Sequence, residues 1–181
     1  MGPLPPAKAR PAFVLLSGLP GSGKSHLARE IGRRYPVAHV ESDALRKALF
    51  ARPVYSQRES SRLFTAIHAL VDDLMSRGLP VLVDATNLKE AHRLPLYDMA
   101  EARRARLVVV HVEVPDPVAR QRLEAKRRGG DPDNPSDADV NVYDAMRREE
   151  EPIWREHISV DASGSVAVAV DMIVRELEET G

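Results

Sequence analysis

An apolar run, AFVLLS at residues 12–17, leads directly into GLPGSGKS at residues 18–25. Gly18, Gly23, Lys24 and Ser25 satisfy the spacing GxxxxGK[ST], and Gly21 and Ser22 complete the loop. The spacing has a physical cause. Glycines let backbone N–H groups converge on phosphate oxygens where a Cβ would clash. A helix starting at Lys24 aims its free N–H groups at the same anion. Lys24 then reaches the β and γ phosphates, and the Ser25 hydroxyl is placed to ligate a divalent cation. Such a loop works only between a buried strand and a helix, so it commits the chain to strand–loop–helix architecture. A flexible glycine turn is the plainer reading, but the flanking strand and helix signals argue against it.

The rest of the chain continues that alternation. Helix is expected from Lys24 to about Arg34, stopping near Pro36, then strand at 37–42 and a short helix at 43–50. A helix at about 58–77 places Leu63, Ile67, Leu70, Val71 and Leu74 on one face and ends at Gly78. Strands follow at 80–86 and 105–114, with LYDMAEARR (96–104) in the helix between them. The segment 116–128 reads as helix, 129–139 as an exposed turn-rich loop, and 140–150 as helix again. HISVDA (157–162) supplies a fifth strand and 165–179 a closing helix. Five strands alternating with helices predict an α/β domain: a five-stranded parallel sheet with helices on both faces. One domain over residues 12–181 fits the length, with a lid near 120–140 and a loose proline-rich tail at 1–11.

Composition narrows the chemistry. Cysteine is absent, which excludes disulfides, thiolate zinc sites and a cysteine nucleophile. The net charge of −1 gives no global basic field for gripping long nucleic acid. The opening segment lacks the apolar core of a signal peptide, and no stretch approaches membrane-spanning length. The expectation is a cytoplasmic protein.

Beyond the loop, the candidates are acids and arginines near strand ends. Asp43 follows the second strand and Arg46 lies one turn later on the same helix face. The carboxylate suits proton removal from an acceptor hydroxyl, and the guanidinium suits an acceptor phosphate. The plainer reading is a helix cap beside a solvated arginine. Asp84 ends VLVD, where many phosphate-loop proteins hold an acid near magnesium. Thr86 and Asn87 follow it, then Arg93, placing short polar groups where the strand opens toward the ligand crevice; a turn or helix cap is the plainer reading. Arg122 and Arg128 are the candidates to close over the transferring phosphate from a lid. His26 either approaches phosphate or packs on its helix. Gln57 and Gln121 are the only glutamines, and neither follows a strand end. That leaves no obvious residue to position a hydrolytic water, as a switch ATPase needs.

In order, GLPGSGKSHLA, ESDALRK, VLVDATNLKEAHR, VPDPVARQRL and PSDADVNVYDAMRREEEPI resemble the P-loop kinases of the AAA_33 type. Within that group they resemble the kinase domain of polynucleotide 5′-hydroxyl kinases. The resemblance covers about residues 13–153. It implies ATP and Mg²⁺ as cofactors and transfer of the γ-phosphate to a hydroxyl, first of all a 5′-hydroxyl nucleic acid end. Relatives with similar loops phosphorylate small molecules, so a sugar, nucleoside or antibiotic hydroxyl is the alternative, and a switch ATPase the third. It implies Asp43 as general base and Arg46 as the contact to an acceptor phosphate. Lys24 and Ser25 fall on the donor and magnesium site, and Arg122 or Arg128 on the lid arginine. Asp84, Thr86, Asn87 and Arg93 match the acceptor-side motif.

Overall fold

The computed structural model describes residues 4–129 and 139–178. Strand β1 (Ala12–Ser17) is buried at every position, and the phosphate-loop residues run from its end into helix α1 (Lys24–Arg34). Then come β2 (Ala38–Glu41), α2 (Ser42–Leu49), α3 (Gln57–Ser76), β3 (Val81–Asp84) and α4 (Glu90–Ala102). The chain continues through β4 (Arg106–Glu113), α5 (Asp116–Gly129), α6 (Val140–Arg148), β5 (Ile158–Asp161) and α7 (Ala167–Glu178). The sheet has five strands, all paired in parallel, in the order β2-β3-β1-β4-β5. This is the expected α/β class.

The two-residue period of β1 divides the core. Val14 and Leu16 face Leu27 and Ile31 of α1 and Val170 and Ile173 of α7. Phe13 and Leu15 face the other way, onto Leu63, Ile67 and Val71 of α3 and Leu96 and Tyr97 of α4. Burying each such side chain contributes roughly 1.5–3 kcal/mol, so both layers are held by β1. Because all strands run one way, their carboxyl ends share an edge. Leu16 and Glu41 both pair with Asp84, Ser17 with His111, and Glu113 with Asp161. From β1 the chain crosses outward over β3 in one direction and reaches β4 in the other, which opens a crevice above β1.

Four expectations need correction or lie beyond view. Leu70 is 37% exposed, at the edge of the α3 apolar face rather than in it. Helix α4 holds residues 96–102 of LYDMAEARR as expected but ends at Ala102, short of Arg103 and Arg104, and it begins at Glu90 and runs through Pro95. The proline removes one N–H from the helix ladder, and the burial of Arg93, Leu96, Tyr97 and Ala100 outweighs that loss. The tail is seated over its second half: Lys8 N–H donates to the Gly78 carbonyl (2.7 Å) and Arg106 N–H to that of Pro11 (2.9 Å). Lys8 Nζ also donates to the Tyr35 hydroxyl at 2.7 Å. The turn-rich loop at 130–138 lies outside the described residues. Among the described residues, no helix is long and apolar enough to cross a membrane.

Candidate active site

The loop geometry demands its glycines. Gly18 has φ +148°, its N–H donates to the Thr86 carbonyl at 3.0 Å, and a Cβ there would lie 2.2 Å from the Val112 carbonyl oxygen. Gly23, at φ +103°, makes the sharp entry into α1, and a Cβ would press on Ala162 and the Arg122 guanidinium at 3.3 Å. Gly21 and Ser22 form the crest between them; the Ser22 hydroxyl is buried and carries no hydrogen bond. The first intrahelical bond runs from Leu27 N–H to the Gly23 carbonyl. The N–H groups of Lys24, Ser25 and His26 therefore stand ahead of the ladder, free for an anion. The His26 ring itself is exposed.

Lys24 is buried and donates Nζ to the Leu19 carbonyl at 2.9 Å. Burial pushes its pKa down, and the charges of Asp84, Asp43 and Glu150 oppose that shift. Three carboxylates from β3, α2 and the segment after α6 thus bear on one ammonium. Asp43 does not cap α2. The capping position belongs to Glu41, without a side-chain bond, and Asp43 sits in the first turn, half-buried.

Asp84 is 3% exposed. Burial would raise its pKa, but the His39 imidazole, the Lys24 charge and the Ser25 hydroxyl together hold it below the usual carboxylate range. Its Oδ2 lies 3.5 Å from His39 Nε2 and has no well-formed hydrogen bond. Glu41, opposite Asp84 in the sheet, accepts from the Ser25 hydroxyl at 3.3 Å. Burial, and then the neighbouring Asp84 charge, push the Glu41 pKa up. An unspent buried carboxylate oxygen, a hydroxyl and a second carboxylate are hard oxygen donors of the kind Mg²⁺ takes. Among the described residues, no three His, Asp or Glu side chains form a complete metal cage. A cation here would complete its shell with nucleotide phosphate and water, as Mg²⁺ commonly does.

The acceptor-side arginines are spent within the protein. Arg46 is 7% exposed, ion-paired with Glu59, and donates to the Ser60 hydroxyl at 3.3 Å. Glu59 also accepts from Val54 N–H at 2.8 Å, so the pair pins the α2–α3 connection to the start of α3. The expected solvated or ligand-facing guanidinium is instead a buried tether; its Nε alone lacks a partner. Arg93 is 0% exposed. It bonds Glu90 Oε2 (2.8 Å) and the carbonyls of Asn87 (3.0 Å), Leu88 (2.9 Å), Pro152 (2.8 Å) and Glu151 (3.3 Å). Asn87 is fully buried and donates to the Leu16 carbonyl at 2.8 Å. Arg93 has no face left for a ligand, which corrects its placement on the acceptor; Asn87 is spent on the protein through its amide N–H, and its Oδ1 is buried without a partner. Thr86 contributes its carbonyl, which receives Gly18 N–H, and keeps a part-exposed side chain.

On the lid side the two arginines part. Arg122 donates to the carbonyls of Gly21 and Ser22 (both 3.3 Å) and of Ala162 (2.7 Å), against the phosphate loop itself. Arg128 is 78% exposed and, among the described residues, pairs with Glu124, one turn back, at 3.2 Å. Helices α5 and α6 are sewn together near their bases. Tyr143 donates to Asp116, Arg147 also pairs with Asp116, and Arg120 pairs with Asp144. Burial, and then that Asp116 hydrogen bond, push the Tyr143 hydroxyl up to about 12. Sequence reasoning missed three elements: Glu41, Glu150, and the β5–α7 turn, where Ala162 N–H ties to the Glu113 carbonyl at 2.9 Å. The signal available for Glu41 and for that turn was their position at strand ends; nothing local marked Glu150.

A family model described as an AAA domain, AAA_33, matches residues 13–153. Among curated proteins, none matches the sequence. Solved structures share the fold. The APS kinase CysC of Mycobacterium tuberculosis, in complex with AMPPNP and APS, is 22% identical with a TM-score of 0.71, covering 96% of this chain and all (100%) of that one. A gluconokinase from Sinorhizobium meliloti 1021 is 23% identical with a TM-score of 0.65, covering 92% and 91%. Chaetomium thermophilum Kti12, in complex with ADP-AlF3, is 20% identical with a TM-score of 0.71, covering 93% and 100%. The fold is that of P-loop kinases.

Proposed function

From the premise that the chain belongs to the AAA_33 family, we propose that it is an ATP-dependent phosphotransferase acting on the hydroxyl of a small molecule. The observation that carries this reading is Asp43, a half-buried carboxylate in the first turn of α2 whose charge bears on the Lys24 ammonium that is to meet the terminal phosphates. A carboxylate there suits removal of the proton of an acceptor hydroxyl, and neither Gln57 nor Gln121 follows a strand end where it could position a hydrolytic water.

The loop N–H groups and Lys24 hold the β and γ phosphates; Lys24 exchanges the Leu19 carbonyl for phosphate oxygen. Ser25 and Asp84 would hold Mg²⁺, which when bound neutralises phosphate charge. Arg122 already touches the loop crest and supplies positive charge there. Asp43 takes the proton of the acceptor hydroxyl. The acceptor oxygen forms its bond to the γ-phosphorus while the bond from that phosphorus to the β–γ bridging oxygen breaks, releasing ADP.

A small acceptor is supported by what the arginines do. A 5′-hydroxyl nucleic acid end carries a phosphate beside its hydroxyl, and the residues expected to meet it, Arg46, Asn87 and Arg93, are buried in protein contacts. Fold neighbours that act on small acceptors, the APS kinase and the gluconokinase, point the same way. The nucleic acid end is the second reading, and the partnerless Arg46 Nε and Asn87 Oδ1 are the observations that favour it. Labelled ATP offered with sugars, cyclitols, nucleosides, aminoglycosides and 5′-hydroxyl oligonucleotides decides. Label is expected on a small molecule. Label only on oligonucleotides reverses the acceptor assignment, and full-rate ATP turnover with no acceptor removes the transferase.

A further inference from the structure

Helix α2 starts at the donor site. Glu41, the residue before it, accepts from the Ser25 hydroxyl at 3.3 Å, and Asp43 sits in its first turn. Arg46 follows one turn on, on the same helix face and farther from the phosphate loop. The buried Arg46–Glu59 pair thus lies beside the base, on the side an acceptor has to occupy. What the pair supports there is an aromatic ring: the Arg46 guanidinium carbon stands 4.7 Å from the centroid of the Tyr55 ring.

Tyr55 is not an ordinary surface tyrosine. Its backbone has φ +53°, a left-handed conformation that a bulky residue rarely adopts. The surroundings enforce that conformation. Glu59 accepts from Val54 N–H at 2.8 Å and from Tyr55 N–H at 3.3 Å, and Ser56 caps α3 by accepting from Glu59 N–H at 3.2 Å. Backbone strain held in this way gathers at ligand sites. One face of the ring lies against a guanidinium that is itself buried, yet Tyr55 is 45% exposed. Its exposure therefore falls on the opposite face and the edge.

The neighbourhood states a chemistry. The terminal nitrogens of Arg46 are spent on Glu59 and Ser60, and Glu59 is spent on Arg46 and the two backbone N–H groups. Beside the ring in the chain stands the exposed Val54, and Leu49, three residues beyond Arg46 on α2, is exposed as well. This surface offers aromatic and aliphatic area in place of buried charge. The guanidinium also draws π density toward the covered side of the ring. The exposed side then suits the face of a flat heterocycle better than the C–H face of a sugar, which needs that density. Stacking of a heterocyclic base on an aromatic side chain changes affinity by roughly tenfold or more.

We propose that Tyr55 is the specificity-determining residue of the acceptor site, stacking the aromatic heterocycle of a small nucleoside-class acceptor whose hydroxyl reaches Asp43. A molecule with a flat ring at one end and a hydroxyl at the other engages both along the one face of α2. The proposal rests on the phosphotransferase reading and names its acceptor class; the products would be the phosphorylated nucleoside and ADP.

The test titrates the full chain, with Mg²⁺ and saturating AMPPNP to occupy the donor site, by calorimetry. The probes are the common nucleosides and their 3′-monophosphates, with neutral hexoses, cyclitols and a 5′-hydroxyl dinucleotide beside them. At least one nucleoside or 3′-monophosphate is expected to bind saturably. Tyr55→Ala should weaken it tenfold or more, and Tyr55→Trp should bind within threefold of the parent. Tyr55→Asn removes the ring while tolerating the left-handed backbone, and serves should Tyr55→Ala fold poorly. AMPPNP affinity should stay within threefold in all of them. In transfer assays the loss should appear in the acceptor KM, with kcat within threefold. Binding confined to hexoses and cyclitols, binding confined to the dinucleotide, nucleoside binding unmoved by loss of the ring, or no binding by any probe overturns the proposal. A nucleoside that binds through Tyr55 but receives no phosphate from ATP removes the phosphotransferase reading and leaves the stacking site. Transfer to a polyol at full rate in Tyr55→Asn removes the stacking site and leaves the transferase.

Discussion

Arg93 separates a clamp from a ligand contact. Its guanidinium holds the Asn87–Leu88 loop, the first turn of α4 and the Glu151–Pro152 segment together through five acceptors. Hydrogen bonds from a charged donor are worth about 1.5–3 kcal/mol each, but bonds sharing one side chain do not add. Arg93→Met fills much of the space but strips the Glu151 and Pro152 carbonyls and the Glu90 carboxylate of this donor, while the Asn87 and Leu88 carbonyls keep Ser17 Oγ and Glu151 N–H; the cost is placed at about 3–5 kcal/mol. For a chain of this size each kcal/mol lowers the melting temperature by roughly 2–4 °C, so a fall of about 10 °C is expected. Arg93→Lys keeps the charge but cannot reach all five acceptors, and should lose more than half as much. Differential scanning calorimetry reads both. Melting temperatures within 2 °C of the parent, with a raised acceptor KM, would return Arg93 to the acceptor and refute the clamp.

The remaining predictions follow the same geometry. Arg122→Ala should lower single-turnover transfer at least tenfold, because Arg122 already lies on the loop, whereas exposed Arg128→Ala should stay within twofold; equal losses would mean that closure brings both onto phosphate. Glu41→Gln should loosen Mn²⁺ in the ADP complex about fivefold, read by electron paramagnetic resonance, because one carboxylate beside Ser25 and Asp84 loses its charge; unchanged Mn²⁺ binding would leave Glu41 as no more than a hydrogen-bond acceptor. Burial lowers the pKa of His68 and of His92, whose ring stacks on Phe64. Between the folded values and the ordinary 6.5 the unfolded chain binds more protons, so this stability is complete above pH 6.5 and drains away as pH falls below it. Melting temperatures taken from pH 8 to 5 should show that loss, and a His68→Gln, His92→Gln chain should show less of it.

Much of the fold was legible because its signals are local. AFVLLS is too apolar and too short for anything but a buried strand before that loop, and its ends fall where the sequence puts them. The passage of α4 through Pro95 is not legible locally: the proline's cost is real, and the packing that outweighs it comes from α3 and from the segment after α6. The donor side of the site was legible because its residues are contiguous. The acceptor side was not. An arginine after a strand reads the same whether it meets a ligand phosphate or five protein oxygens, and only the tertiary structure shows that Arg46 and Arg93 are already paired. Glu41 joins Asp84 only through strand order, and Glu150 joins Lys24 only because the chain returns across the sheet after α6.

The central claim is that the phosphate goes to a hydroxyl whose proton Asp43 removes. Asp43→Asn preserves size and removes the basic oxygen. With the acceptor that the labelling panel identifies, transfer by rapid quench and ATP affinity by calorimetry are measured on the same preparation. Transfer is expected to fall by about two to four orders of magnitude, with ATP affinity within a few fold. Transfer at close to the parent rate would contradict the account, since the hydroxyl would then lose its proton to some other group.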